Sequence, residues 1–177
     1  MRIGFIGIGK IGLQMAKHVA RSGVDLLVHD LDKSCASPLI QLGAKWASTP
    51  ASLARQCDLV ATCLPGPTEM DSVVFGPEGI MEGMRSGSLY VDHTTNSPQL
   101  VCRTYDKIAK MGSEMIDAPV SGGVEGAISK EITVFVGGQD QTLKKCEPYL
   151  KTFAGQILHI GEIGSGSVAK ITHNCAV

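Results

Sequence analysis

The amino-acid sequence predicts an α/β fold in which a mainly parallel, doubly wound sheet carries helices on both faces. Three observations point there. Short apolar, β-rich runs alternate with helical stretches almost to the end of the 177 residues. That alternation builds strand–helix–strand units, whose strands lie parallel and are buried on both sides. A glycine-rich turn, Gly7-Ile8-Gly9-Lys10-Ile11-Gly12, stands between the first strand-like run and the first helical one, and hydrophobic residues make up 44% of the chain, enough for a substantial core.

The elements follow in order. Residues 2–7 (RIGFIG) read as the first strand. One arginine before apolar residues is also how a secretory leader begins, but frequent glycine and the lack of a small-residue cleavage site favour the strand. The amphipathic run 10–23 (KIGLQMAKHVARSG) is the first helix, and 24–30 (VDLLVHD) the second strand. Residues 49–56 (TPASLARQ) form a helix that Thr49 or Ser52 caps. Strand 57–65 (CDLVATCLP) ends at Pro65-Gly66-Pro67, which continues neither strand nor helix and so makes a shaped loop. Strand 88–94 precedes helix 97–112, strand 113–122 precedes helix 123–129, and strand 131–138 precedes helix 140–155. The last strand is 156–161 (QILHIG). The Gly-Ser stretch 161–167 is the one plausible boundary, which divides the chain into a domain at 1–163 and the start of a further element at 164–177.

Composition excludes several function classes. The formal net charge of −1 offers nothing to nucleic acid or to an anionic membrane surface, and no apolar run approaches the length of a membrane span. The six cysteines contain no C-x-x-C pair and the five histidines no H-E-x-x-H, so neither a disulfide framework nor a metal site is expected, and a reducing cytoplasm is the expected compartment.

The glycine turn is a G-x-G-x-x-G after a strand and opening a helix, the context in which that pattern signals a dinucleotide site of the Rossmann type. Gly7 allows the tight turn, Gly9 leaves room for a pyrophosphate, and Gly12 lets helix and strand approach. Free N–H groups of the turn and the helix dipole then favour phosphate charge. Asp30, ending the second strand, is placed to accept hydrogen bonds from a ribose diol and to repel a 2′-phosphate. Leu31 supplies no arginine for such a phosphate, so NAD is expected over NADP. Lys33 would reach a phosphate if its loop bent that way, and a plain turn residue is the other reading of Asp30. Leu64 and Pro65, with Thr94, Thr95 and Asn96, lie where two strands end, at the carboxyl edge along which ligands bind in open α/β sheets. Helix capping is the plainer reading of the last three.

In this order the pieces resemble the β-hydroxyacid dehydrogenases, the family that includes 3-hydroxyisobutyrate dehydrogenase and tartronate semialdehyde reductase. The opening IGFIGIGKIGLQMAKHV resembles its cofactor motif, DAPVSGGVEGA (117–127) its substrate-binding stretch, and GxGxxxKxxxN (164–174) its catalytic motif. DHTT resembles its D-x-S-T loop on the nicotinamide side, with Thr94 in place of serine. The resemblance implies a cofactor site made by Gly7, Ile8, Gly9, Lys10, Ile11, Gly12, Asp30, Leu64, Pro65, Thr94 and Thr95. It implies that Ser121, Gly122 and Gly123 hold a substrate's carboxylate and hydroxyl. By the residues alone SGG reads equally as a glycine-rich turn, although successive N–H groups there can form an anion-binding nest. Lys170 would be the general acid or base of hydride transfer with a small 3-hydroxy acid or its semialdehyde, its pKa lowered by burial, and Asn174, one helical turn on, would orient it. The lysine counts against the related imine reductases, and the stretch around the substrate glycines against a phosphogluconate-type dehydrogenase.

In this family the helix with the lysine and asparagine runs on into an all-helical domain that closes the cleft and builds the dimer. The chain is therefore expected to be the cofactor half of a longer, homo-oligomeric enzyme. The other reading is a dinucleotide-binding module without turnover. Val168, Ile171 and Cys175 form an apolar stripe on the last helix, which is expected to fray or to find another chain.

Overall fold

The computed structural model describes residues 1–176. The chain runs through β1 (Arg2–Ile6), α1 (Lys10–Arg21), β2 (Asp25–His29), a 3-10 turn (Lys33–Ala36) leading into α2 (Ser37–Ile40), β3 (Lys45–Trp46), α3 (Pro50–Ala54) and β4 (Leu59–Thr62). It continues through α4 (Pro67–Phe75), α5 (Ile80–Gly83), β5 (Leu89–Asp92), α6 (Pro98–Lys110), β6 (Glu114–Asp117) and β7 (Val120–Ser121). The last elements are α7 (Gly123–Ser129), β8 (Ile132–Gly137), α8 (Asp140–Leu150), β9 (Ala154–Gly161) and α9 (Ser165–Ala176).

The strands form one sheet in the order β3-β2-β1-β4-β5-β6-β8-β7, with β9 also paired to β8. Pairing is parallel from β3 to β6. It becomes antiparallel where β8 meets β6 and β7. The order turns back between β1 and β4, and such a switch point opens a crevice at the strands' carboxyl ends.

Alternation along β1 shows how the sheet is covered twice. Ile3 and Phe5 pack into one core with Met15, Ala16 and Val19 of α1 and Tyr149 and Leu150 of α8. Ile6 packs into the opposite core with Leu53 of α3, Met70 of α4 and Val101 of α6. Side chains on a strand point alternately to the two faces, so both faces of β1 are buried and the run reads as continuously apolar.

Thr49 caps α3 as expected, its side chain accepting from Ser52 N–H while the Ser52 hydroxyl accepts from Thr49 N–H. Three features depart from the sequence reading. Helices α4 and α5 follow the Pro65-Gly66-Pro67 loop in a stretch to which the sequence reading assigns no element; Val73, Val74 and Phe75 are consecutive, so no single apolar stripe marks α4. Strand 113–122 is split into β6 and β7 by Ala118-Pro119, because proline has no N–H for the ladder. On α9 the expected stripe faces outward: Val168 is 51% and Ile171 38% exposed, and Cys175 is exposed, while Gly166, Ser167 and Lys170 are buried. The helix nonetheless runs to Ala176.

Candidate active site

A cleft of about 580 Å³ opens at the switch point, lined among others by Gly7, Gly9, Lys10, Ile11, Gly12, Asp30, Leu64 and Pro65. Gly7 takes φ +89, a turn conformation open to glycine. A side chain on Gly12 would stand 2.0 Å from the Gly7 carbonyl oxygen, whereas at Gly9 nothing lies within 4 Å. The amide groups of the first turn of α1 have no side-chain cap, which leaves them and the dipole facing the cleft. An uncapped helix start, a cradle open above Gly9 and a carboxylate at the far strand end fit a dinucleotide: pyrophosphate on the turn, ribose at Asp30.

These glycines make separable predictions. Gly12→Ala should cost about 1–3 kcal/mol of stability by forcing α1 from β1. Gly9→Ala should leave the urea unfolding midpoint unchanged and weaken NADH binding roughly 10-fold or more by filling the cradle. Calorimetry and denaturation on both variants check this; a stable, tight-binding Gly9→Ala chain would empty the cradle of meaning.

Asp30 is half-buried and does structural work of its own. One of its oxygens accepts the Ile8 N–H at 2.8 Å and the other the Asp32 N–H at 3.1 Å, so it ties the glycine turn to the end of β2. Ile8 itself does not line the cleft: its side chain is 1% exposed in the core, and its amide is the one Asp30 engages. Leu31 is 99% exposed on the cleft wall. Lys33 does not bend toward the cleft; its ammonium lies 6.0 Å above the Trp46 ring. Pro50, Glu69, Ser72, Val73 and Pro77 also line the wall and were not foreseen, because the helix bearing three of them carried no clear period.

Thr94 is 1% exposed, and its hydroxyl accepts the Leu64 N–H at 3.1 Å. It joins the loops after β4 and β5 rather than lining the cleft, and Thr95, half-buried, does not line it either. Beneath them Asp92 is fully buried, accepting from Thr94 N–H (3.0 Å), the Thr62 hydroxyl (2.8 Å) and the Asn96 amide (2.5 Å). Burial raises its pKa to about 6 against those hydrogen bonds. His93 is buried with Nδ1 2.8 Å from the Ala118 carbonyl and Nε2 2.8 Å from the Tyr149 hydroxyl. A carbonyl only accepts, so Nδ1 carries the proton and the Tyr149 hydroxyl donates to Nε2. Burial pushes the His93 pKa down to about 4.

The substrate-side residues lie at the same edge of the sheet. β7 ends at Ser121, half-buried, and Gly122 and Gly123, both exposed, follow with φ +125 and +62 and open α7. Lys170 is 9% exposed on the inward face of α9, and burial lowers its pKa. Asn174 is exposed, so the helix buries the lysine and leaves the amide outside. A groove of about 370 Å³ joins Ser121 and Gly122 to Phe135, Leu158 and His173. His173, not singled out in the sequence, packs its ring at a tilt against Phe135, 5.7 Å between centroids, and keeps a buried Nδ1 without a partner among the described residues. Its signal was available: it lies three residues after Lys170, on the same side of the helix.

Fold and cleft together define a Rossmann-type dinucleotide-binding domain. The chain belongs to the family of the NAD binding domain of 6-phosphogluconate dehydrogenase, whose model matches residues 2–161. Its relatives along nearly the whole chain include hydroxyacid dehydrogenases. It is 36% identical over 172 residues to a probable mitochondrial 3-hydroxyisobutyrate dehydrogenase of Dictyostelium discoideum, covering 97% of this chain and 54% of that protein. The 3-hydroxyisobutyrate dehydrogenase of Mycobacterium tuberculosis, solved with L-serine, superposes with a TM-score of 0.93 at 28% identity, over 99% of this chain and 59% of that one. An imine reductase variant from Myxococcus stipitatus shares the fold at a TM-score of 0.89 and 22% identity, over 99% of this chain and 60% of that one. The chain thus spans little more than half the length of these proteins. No helix among the described residues is long and apolar enough to cross a membrane.

Proposed function

We propose that this chain is the cofactor-binding half of an NAD-dependent oxidoreductase acting on a small 3-hydroxy acid or its semialdehyde, with residues 1–163 as the cofactor domain and 164–177 beginning the connection to a second one. The observation that carries the proposal is Lys170: a lysine buried without being part of the hydrophobic core, on a helix that starts where β6 and β8 end. An ordinary surface lysine keeps its amine in water; this one is buried on the inward face of α9, and burial lowers its pKa.

The nicotinamide, when bound, supplies or accepts hydride. The rest is the chain's own chemistry. As a substrate hydroxyl carbon loses hydride, the neutral Lys170 amine takes the hydroxyl proton; in reduction the ammonium returns it to the carbonyl oxygen. Burial disfavours the charged ammonium and so lowers the Lys170 pKa, which favours the amine that a base requires. Backbone N–H groups at Gly122 and Gly123 and the Ser121 hydroxyl hold the carboxylate, and Asn174 orients the substrate or the amine. Leu64, Pro65 and the Thr94–Thr95 loop shape the nicotinamide end, Thr94 by holding Leu64.

Asp30 selects the unphosphorylated dinucleotide, since a 2′-phosphate would meet its carboxylate, Leu31 offers no cation and Lys33 lies over Trp46. NADH is expected to bind this chain at least roughly 10-fold more tightly than NADPH by calorimetry, and Asp30→Ser should narrow the gap; equal affinities would remove the assignment. An assay with small 3-hydroxy acids tests turnover. A second reading is favoured by the exposure of Asn174 and of the Val168–Ile171 stripe: a chain that binds NADH without turnover, its substrate wall and its partner surface supplied by a second domain or another copy.

A further inference from the structure

Asp117 opens the DAPVSGG stretch, yet it lies four residues before Ser121 and has no place in the chemistry above. It is 0% exposed. One carboxylate oxygen accepts the Gly164 N–H and the other the Ser167 N–H, both at 2.7 Å. These are donors of the turn that opens α9, 47 and 50 residues away in sequence. Such amides have no partner within their own helix, and an ionised acceptor satisfies them more strongly than a neutral one. The backbone around the carboxylate is closely packed. A side chain on Gly137 would stand 2.3 Å from Asp117 Oδ1, and one on Gly166 would stand 2.4 Å from the Phe135 carbonyl and 3.0 Å from that of Asp117. Strand β8, strand β6 and the start of α9 therefore meet without any intervening side chain except the Asp117 carboxylate.

We infer that Asp117 is a positioning residue: its carboxylate latches the first turn of α9 to the end of β6 and so sets where Lys170, three residues beyond Ser167, stands relative to the Ser121 loop that the same strand feeds. The apolar side of α9 cannot do this, because Val168 and Ile171 face away from the domain. Polar contacts at the helix start carry the placement that apolar packing carries elsewhere. The opposing cost of burial, which raises the Asp117 pKa while the Gly164 and Ser167 amides lower it, is consistent with a carboxylate held for its two bonds. The inference rests on the role proposed for Lys170 for its functional meaning, but not for its physical content.

The test is Asp117→Asn, nearly the same shape but able to accept only through one atom, with an amide donor set against an amide donor. Hydrogen exchange is followed residue by residue in the chain as it stands. Amides of α9 from Ser167 to Asn174 are expected to exchange roughly 10- to 100-fold faster than in the unmutated chain, while those of β1 and β4 are unchanged and NADH affinity stays within about twofold. A general loss of stability would instead speed the core strands in proportion, and that result, or unchanged α9 exchange, overturns the latch. Should the variant fail to fold, trans-hydrogen-bond couplings from the Gly164 and Ser167 nitrogens to the Asp117 carboxyl carbon are measured in the unmutated chain. Their detection supports the latch and their absence overturns it. Where turnover is measurable, Asp117→Asn should lower kcat with the KM for NADH unchanged. A latch seen by exchange alongside a Lys170→Met variant of full activity would sink the catalytic reading of Lys170 and leave the latch standing.

Discussion

Replacing Lys170 by methionine is expected to lower hydride-transfer turnover by about 10²–10⁴-fold, the contribution of a positioned general acid or base, and to leave NADH affinity within about twofold. Methionine keeps the length and apolar stem that fill the inward face of α9, so the fold should survive; only the proton carrier is lost. The lysine is not among the residues lining the glycine-turn cleft, which is why cofactor binding should be spared. Steady-state rates with a small semialdehyde, together with calorimetry, check both halves. Comparable turnover would take Lys170 out of the chemistry. Affinity lost in step with rate would move the residue into the cofactor site.

The second large effect concerns pH and two neighbours in sequence, Asp92 and His93. Asp92 is raised in the folded chain to about 6 from an ordinary 3.8, so its contribution to stability is fully present below 3.8 and is lost as pH rises through 6. His93 is lowered to about 4 from 6.5, so its contribution is present above 6.5 and is lost as pH falls through 4. Each amounts to about 3 kcal/mol, at 1.36 kcal/mol per unit. Between pH 4 and 6 the two slopes oppose each other and nearly cancel. Asp92→Asn should unmask the histidine, and urea denaturation of that variant should show stability climbing by about 3 kcal/mol more than the unmutated chain does from pH 4 to 6. His93→Gln should show the opposite tilt. Parallel pH profiles for all three proteins would mean that the buried pair does not titrate as its burial requires. Asp92 also accepts the N–H of Thr94, whose hydroxyl accepts the Leu64 N–H, so Asp92→Asn also loosens the tie to Leu64.

How far the candidate site was legible varies residue by residue. Gly7, Gly9, Lys10, Ile11, Gly12 and Asp30 line one cleft, and their proximity was legible because strand, turn and helix are contiguous and their backbone demands are local. Thr94 was placed at the right edge of the sheet but turned the wrong way. Its hydroxyl answers an orphan amide 30 residues off, which nothing in DHTT announces. Ile8 sits inside the motif and still belongs to the core, on the side of Ile3 and Phe5 and not of Ile6, because the turn at Gly7 (φ +89) interrupts the strand's alternation. Glu69 and Ser72 reach the cleft on a helix whose apolar residues mark no single face.

Local chemistry written along the chain settles most of the architecture here: apolar runs wide enough to be buried twice, the cap at Thr49, the proline that breaks β6 from β7, and the turn that opens α1. Each depends on residues within a few positions of one another, where spacing and backbone preference act directly. The orientation of α9 is of another kind. Its apolar stripe lies on the outer face and Lys170 on the inner one, an orientation that apolar packing of the helix does not supply. The reason is that Asp117, brought beside Gly164 and Ser167 only when β6 takes its place in the sheet, holds the helix by its polar start. Free energy from contacts so distant in sequence outweighs the helix's own preference, and no window along the chain contains both partners.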